Sequence, residues 1–153
     1  MKLLVLIHRL PCPPDRGSVL RADTELRWLA GRHEVWCAGL LEPCESPSDR
    51  DRSLSELRGL CRNLEAVPLS PVAAKFRAAA ALLAGGTASE KYFASRRLER
   101  TVMQWTRANR FDAVMAFSSS MAPLALRLPA ARRVLDMVDV DSRKWLESAR
   151  GAA

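Results

Sequence analysis

Glycine and histidine are scarce in this chain: seven glycines and two histidines in 153 residues. The first strand-to-helix turn, PPDRGSVL, holds one glycine where the dinucleotide fingerprint G-x-G-x-x-G needs three, and no Walker loop occurs. NAD or ATP held in the usual manner is excluded on that ground. The four cysteines, Cys12, Cys37, Cys44 and Cys61, form no C-x-x-C pair, and His8 and His33 are too few to complete a zinc site with them. They read as reduced thiols, Cys37 and Cys61 as small core residues and Cys12 and Cys44 in proline-containing loops. Long apolar runs are missing too. Leu3 to Ile7 is far below the roughly 20 residues that span a bilayer and below the about 7–15 of a signal-peptide core, so a cytoplasmic location is expected. Aromatic residues make up 6% of the chain and do not interleave with its arginines, which argues against nucleic acid as a partner.

What is abundant is positive charge. Lysine and arginine number 24 against 17 aspartates and glutamates, a net charge of +7 that favours anionic partners such as phosphorylated metabolites or an acidic membrane surface. Most arginines fall on the outer faces of predicted helices. The hydrophobic pattern alternates strands and helices: a strand at Lys2 to His8, a helix from Gly17 to Ala30 with Val19, Ala22, Leu26 and Leu29 at helical spacing, and a strand at His33 to Leu40. Ser53 and Glu56 form a capping box for a short helix through Leu57 and Cys61. A strand at Leu64 to Leu69 precedes Ser70-Pro71, which starts an alanine-rich helix stopped by Gly85-Gly86. A helix from Ser95 to Asn109 points Leu98, Val102 and Trp105 inward. The runs Ala113 to Phe117 and Val134 to Val138, flanking a helix at Ser120 to Leu128, read as central parallel strands. The fold class expected is α/β: a Rossmann-like parallel sheet of about five strands, order 3-2-1-4-5, with helices on both faces.

In such a sheet ligands bind beyond the carboxyl ends of the strands, where helix N-termini offer free backbone N–H groups. Three segments share that rim: HRLPCPPDRGSVLR, SSSMA from Ser118 to Ala122, and DVDSRK from Asp139 to Lys144. Gly17 removes a side chain where backbone can approach a ligand, and Asp15, Arg16 and Arg21 add polar handles. Ser118 and Ser119 are helix caps that can also donate to sugar hydroxyls; their flanks lack G-x-S-x-G, so a serine hydrolase is not supported. Asp139 and Asp141 are rim carboxylates, Asp139 the catalytic candidate. Strand alternation parts Asp136 from Asp139, so the acidic cluster does not read as a metal site. His8 reads as a structural histidine, and His33 belongs to the opposite rim.

The segments LVLIHRLPCPPDRGSVLR, RFDAVMAFSSSMA and RRVLDMVDVDSRKW, in that order, resemble the amino-terminal domain of GT-B fold glycosyltransferases. The nearest likeness is to bacterial sugar transferases of exopolysaccharide clusters associated with the PEP-CTERM and exosortase system. The resemblance implies that residues 1–153 are the acceptor-side half of a two-domain enzyme, with a donor-binding carboxyl-terminal half absent from this sequence. It implies a nucleotide sugar as co-substrate held mainly by that other half, a saccharide or lipid-linked acceptor, no cofactor and no metal. The isolated chain is then expected to be inactive. Where many relatives carry a histidine-aspartate pair this chain has Val138-Asp139, so no role transfers for that histidine. The competing reading is a non-catalytic Rossmann-like module that binds an anionic metabolite.

The alanine-rich helix, PVAAKFRAAAALLAGG from Pro71 to Gly86, carries Lys75 and Arg77 near Phe76, Leu82 and Leu83. A weak peripheral membrane contact is conceivable there. The preferred expectation is a helix packed on the sheet or an excursion near the interdomain cleft, because two charges give only marginal binding to anionic lipid.

Overall fold

The computed structural model describes residues 1–15 and 17–138. Five strands form one parallel sheet: β1 (Lys2–Ile7), β2 (Glu34–Leu41), β3 (Asn63–Pro68), β4 (Ala113–Phe117) and β5 (Arg132–Asp136). Their spatial order is β3-β2-β1-β4-β5, the Rossmann-like order expected, and all neighbours are parallel, in keeping with the alternation of apolar runs with helices. The molecule is thus α/β with a Rossmann-like half-domain topology.

The central strand is an unbroken apolar run because both its faces are covered. Leu3, Val5 and Ile7 enter a core on one face; it is completed by Ala22 and Leu26 of α1 (Gly17–Ala30) and by Leu54 and Leu57 of α2 (Pro47–Leu60). Leu4 and Leu6 enter the core on the other face. That core is closed by Ala74 of α3 (Pro71–Leu83), Phe93 after α4 (Ala88–Tyr92), Leu98 and Val102 of α5 (Arg96–Ala108), and Ala125 of α6 (Ala122–Arg127). On α5, Leu98, Val102 and Trp105 face the core as their spacing requires.

Two expectations are corrected. The capping box at Ser53 is not a helix start. α2 begins at Pro47, Ser46 is its N-cap and accepts from the Asp49 N–H at 3.3 Å, and the Ser53 hydroxyl lies inside the helix, donating to the Asp49 carbonyl at 2.9 Å. The last strand is not central. β5 starts at Arg132 and, among the described residues, forms the sheet edge, paired only with β4; its residues Arg132 to Leu135 are exposed, including Val134 and Leu135. Alanine-rich α3 buries Ala74 and Ala81, while Phe76, Leu82 and Leu83 face outward.

Candidate functional site

The carboxyl ends of β1, β4 and β5 do share one rim, and the loop after β1 is built first. Leu10 folds back so that its N–H donates to the Leu40 carbonyl at 2.8 Å, and its side chain is buried against Gly39. A β-carbon at 39 would lie 2.6 Å from the Ile7 carbonyl oxygen and 2.8 Å from Leu10, so only glycine admits this return. His8, at the end of β1, is buried between aromatic rings, edge-on to Phe93 at 5.1 Å and nearly parallel to Phe117 at 6.4 Å. Its Nδ1 stands 3.2 Å from the Phe117 carbonyl, to which the Nδ1–H tautomer donates. His8 is therefore tied into the rim floor, in line with a structural role.

Arg9 forms an ion pair with Glu42 at 3.0 Å and lays its guanidinium over the Phe93 ring at 5.3 Å. The Arg9 Nε is buried without an aligned hydrogen bond, so the pair holds by charge rather than by a directed N–H. Beneath the loop, the space between Arg9, Cys12, Asp15 and Glu42 is about 30 Å³, too small for a ligand. Burial, with Asp23 nearby, pushes the Cys12 thiol up to about 12. Cys12 is thus an inert core group in spite of its loop position.

Gly17 opens α1. Among the described residues, no atom outside its chain neighbours and its own helix backbone lies within 4 Å of the point where its β-carbon would stand. Its lack of a side chain leaves open space before the first turn of the helix. Asp15 is exposed beside that space, its N–H donating to the Pro13 carbonyl at 3.1 Å.

Arg21, expected as a handle for ligand, is engaged within the protein. Its guanidinium donates to Glu25 at 2.8 Å and to Asp136 at 2.7 Å, joining α1 to the end of β5 and raising its own pKa, chiefly through the Glu25 hydrogen bond. Asp136 also accepts from the Val138 N–H at 2.9 Å. At the end of β4, the Ser118 N–H donates to the Asp136 carbonyl at 2.8 Å, and its Oγ accepts from the Ser120 N–H at 3.4 Å at the head of a 3-10 turn, Ser119–Met121. Ser120 is buried and Ser119 half-buried. Ser118 thus caps the turn through its hydroxyl, and Ser119 lies within that turn.

Backbone strain gathers on this rim. Ser118 has φ 84° and Val138 has φ 59°, the two described non-glycine residues at positive φ. A β-branched residue there is a genuine outlier, and such conformations cost about 1–3 kcal/mol each and tend to cluster at functional sites. Asp139, Asp141 and Arg16 lie outside the described residues. The rim therefore brings together Asp15, Gly17, Arg21, Ser118 and Ser119, of which Gly17 fronts open space and Arg21 is internally paired.

Next to the rim, on the β3 side, is a cleft of about 600 Å³ whose walls include Ser70, Arg77, Lys91, Ser95, Arg96 and Glu99. A smaller hollow of about 200 Å³ adjoins it beside Ser120 and Arg127, where Arg127 pairs with Glu99 at 2.7 Å. With Glu99 paired to Arg127, and Lys91 to Glu90 at 3.2 Å, Arg77 and Arg96 leave the larger cleft cationic. These residues carry no sequence motif; only the α3 to α5 excursion brings Arg77 beside Arg96. Among the described residues no three His, Cys, Asp or Glu side chains are grouped to hold a metal ion, and no helix is long and apolar enough to cross a membrane. Comparison with protein-family models, with curated proteins and with solved structures finds no match to the chain.

Proposed function

We propose that this chain is the acceptor-side half of a sugar transferase, shaping a site for a saccharide or lipid-linked acceptor beyond the carboxyl ends of its strands. The observation that carries the reading is the space the described residues leave at Gly17, before α1, on the same rim as the strained turns at Ser118 and Val138. That arrangement suits close approach of backbone to a flexible hydroxylated ligand. A nucleotide-sugar donor would be supplied through a second domain, in the cytoplasm, and Asp139 is the proposed catalytic carboxylate. The chain's own part is to present Asp15, Arg16, Ser118, Ser119 and Asp141 as polar partners for acceptor hydroxyls, while Arg21 fixes the α1 to β5 geometry.

Calorimetric titration of the isolated chain with UDP- and GDP-sugars is expected to give no tight binding. In an enzyme containing this chain and the donor half, Gly17→Val is expected to cut turnover with the fold intact. Tight nucleotide-sugar binding by the isolated chain, or full turnover of the valine variant, would overturn the reading. A specific observation favours the second reading, a non-catalytic module for an anionic metabolite: the cationic cleft of Arg77 and Arg96. Saturable binding of pyrophosphate, lost in Arg96→Ala and indifferent to Gly17→Val, would select it.

A further inference from the structure

Two cysteines far apart in sequence meet in the core on the α1 and α2 side of the sheet. Cys37 lies in β2 and is sealed from water, whereas Cys61, the residue that caps the end of α2, is 7% exposed. Backbone bonds hold Cys61 in place. Its N–H donates to the Leu57 carbonyl at 2.9 Å, and the N–H of the next residue, Arg62, donates to the Val35 carbonyl at 2.7 Å, which fastens the turn out of α2 to β2 two residues before Cys37. The two thiols are hydrogen-bonded to one another, Cys37 donating and Cys61 accepting.

Burial explains which sulfur keeps its proton. Cys37, without contact to water, retains its proton well above the ordinary thiol range and shares it with Cys61, whose own pKa that bond lowers. The other two cysteines do not compete: the Cys12 thiol is pushed up to about 12 by burial, and Cys44 donates to the Ser46 carbonyl at 3.3 Å in its loop. A sulfur with thiolate character at the border of the core, in contact with a second thiol, is the arrangement in which one cysteine is oxidised and its neighbour resolves it. We propose that Cys61 and Cys37 form an oxidisable pair, Cys61 attacking a peroxide and Cys37 closing an intrachain disulfide.

In the first step the Cys61 thiolate attacks one oxygen of hydrogen peroxide. The O–O bond breaks, hydroxide leaves and takes up a proton to become water, and Cys61 is a sulfenic acid. The Cys37 sulfur then attacks the Cys61 sulfur. The S–O bond breaks, and the hydroxyl leaves with the Cys37 proton as a second water. Two thiols and one peroxide thus become one disulfide and two waters; sulfur is oxidised and the peroxide reduced. A peroxide is small enough for a sulfur that is 7% exposed, and the end of a helix, where Cys61 sits, is where the backbone frays first. The disulfide ties the end of α2 covalently to β2, whichever reading of the rim and cleft holds.

The test is mass spectrometry of the whole chain after exposure to a slight excess of hydrogen peroxide. Loss of two hydrogens is expected, with the bond mapped to Cys37 and Cys61 in a non-reducing digest and reversed by dithiothreitol. In Cys37→Ala the reaction is expected to stop at the sulfenic acid, so that dimedone labels Cys61 at least about tenfold more than Cys12 or Cys44. In Cys61→Ala, Cys37 is expected to remain a thiol. Circular dichroism melts check that both variants fold, and the mapping in the wild-type chain decides the matter should either one not. No disulfide in the wild type, a bond that joins other cysteines or two chains, or dimedone on Cys12 or Cys44 in place of Cys61 would overturn the proposal.

Discussion

Gly39 and Gly17 are the same residue type used for opposite reasons. At Gly39 a methyl group would meet the Ile7 carbonyl at 2.6 Å and the buried Leu10 side chain at 2.8 Å, and neither can retreat easily, because Ile7 lies in the central strand. Gly39→Ala is therefore expected to destabilise the fold by about 1–3 kcal/mol, read from the urea unfolding midpoint. Gly17→Ala meets nothing among the described residues and starts a helix, so its effect on the fold should be within about 1 kcal/mol and toward stability. Equal midpoints for the two variants would mean that the β1 to α1 loop yields. The sequence pointed to Gly17, which stands alone among prolines, and passed over Gly39, which sits inside the apolar run VWCAGLL. Arg21 shows the same limit. Its partner Asp136 is 115 residues away, and no local spacing announces a bond of that range.

Elements were legible wherever period and burial agree. β1, β4, α1 and α5 have apolar positions that recur at the spacing of a strand or helix with one or both faces covered, and parallel pairing followed from their alternation, while the order came from the Rossmann-like pattern. α3 was not legible in the same way, because alanine is apolar on every side of the helix and leaves the buried face undeclared. β5 looked central from VLDMV, yet at the edge of the sheet its flanking arginines and its valine alike meet solvent. α2 offers two start signals, and the structure chooses the earlier. Ser46 followed by Pro47 combines an N-cap with a proline at the first helical position, where its missing N–H costs nothing, whereas Ser53 and Glu56 have the spacing of a capping box in mid-helix. Ser46→Ala is accordingly expected to cost about 1 kcal/mol, while Ser53→Ala should be neutral or slightly stabilising, since alanine is the better interior residue. Urea midpoints of the two variants settle the order, and the reverse ranking would restore the helix start at Ser53.

For the molecule as a whole, alkaline pH sets two effects against each other. The chain is basic, with an isoelectric point near 9.9, so raising the pH toward that value relieves charge repulsion and favours the folded state. Cys12 opposes this. Its thiol is pushed from 9.0 to about 12 by burial, with the Asp23 charge adding to it, so between those values the unfolded chain loses a proton that the native protein keeps. The unfolded state then binds fewer protons, and stability is present below about pH 9 and falls above it, by about 1.4 kcal/mol per pH unit until the native thiol also titrates. Such a slope outweighs diffuse surface repulsion, which salt screens. Cys37 and Cys61 are less useful probes, because the hydrogen bond between them raises Cys37 and lowers Cys61, so that their contributions oppose one another. Comparing wild type with Cys12→Ala from pH 8 to pH 11 isolates the effect, since both proteins carry the same surface charges. The variant is expected to be less stable at pH 8 through lost packing, yet to show a flatter decline, so that the gap between the two narrows as pH rises; parallel curves would show that Cys12 titrates alike in the folded and unfolded chain.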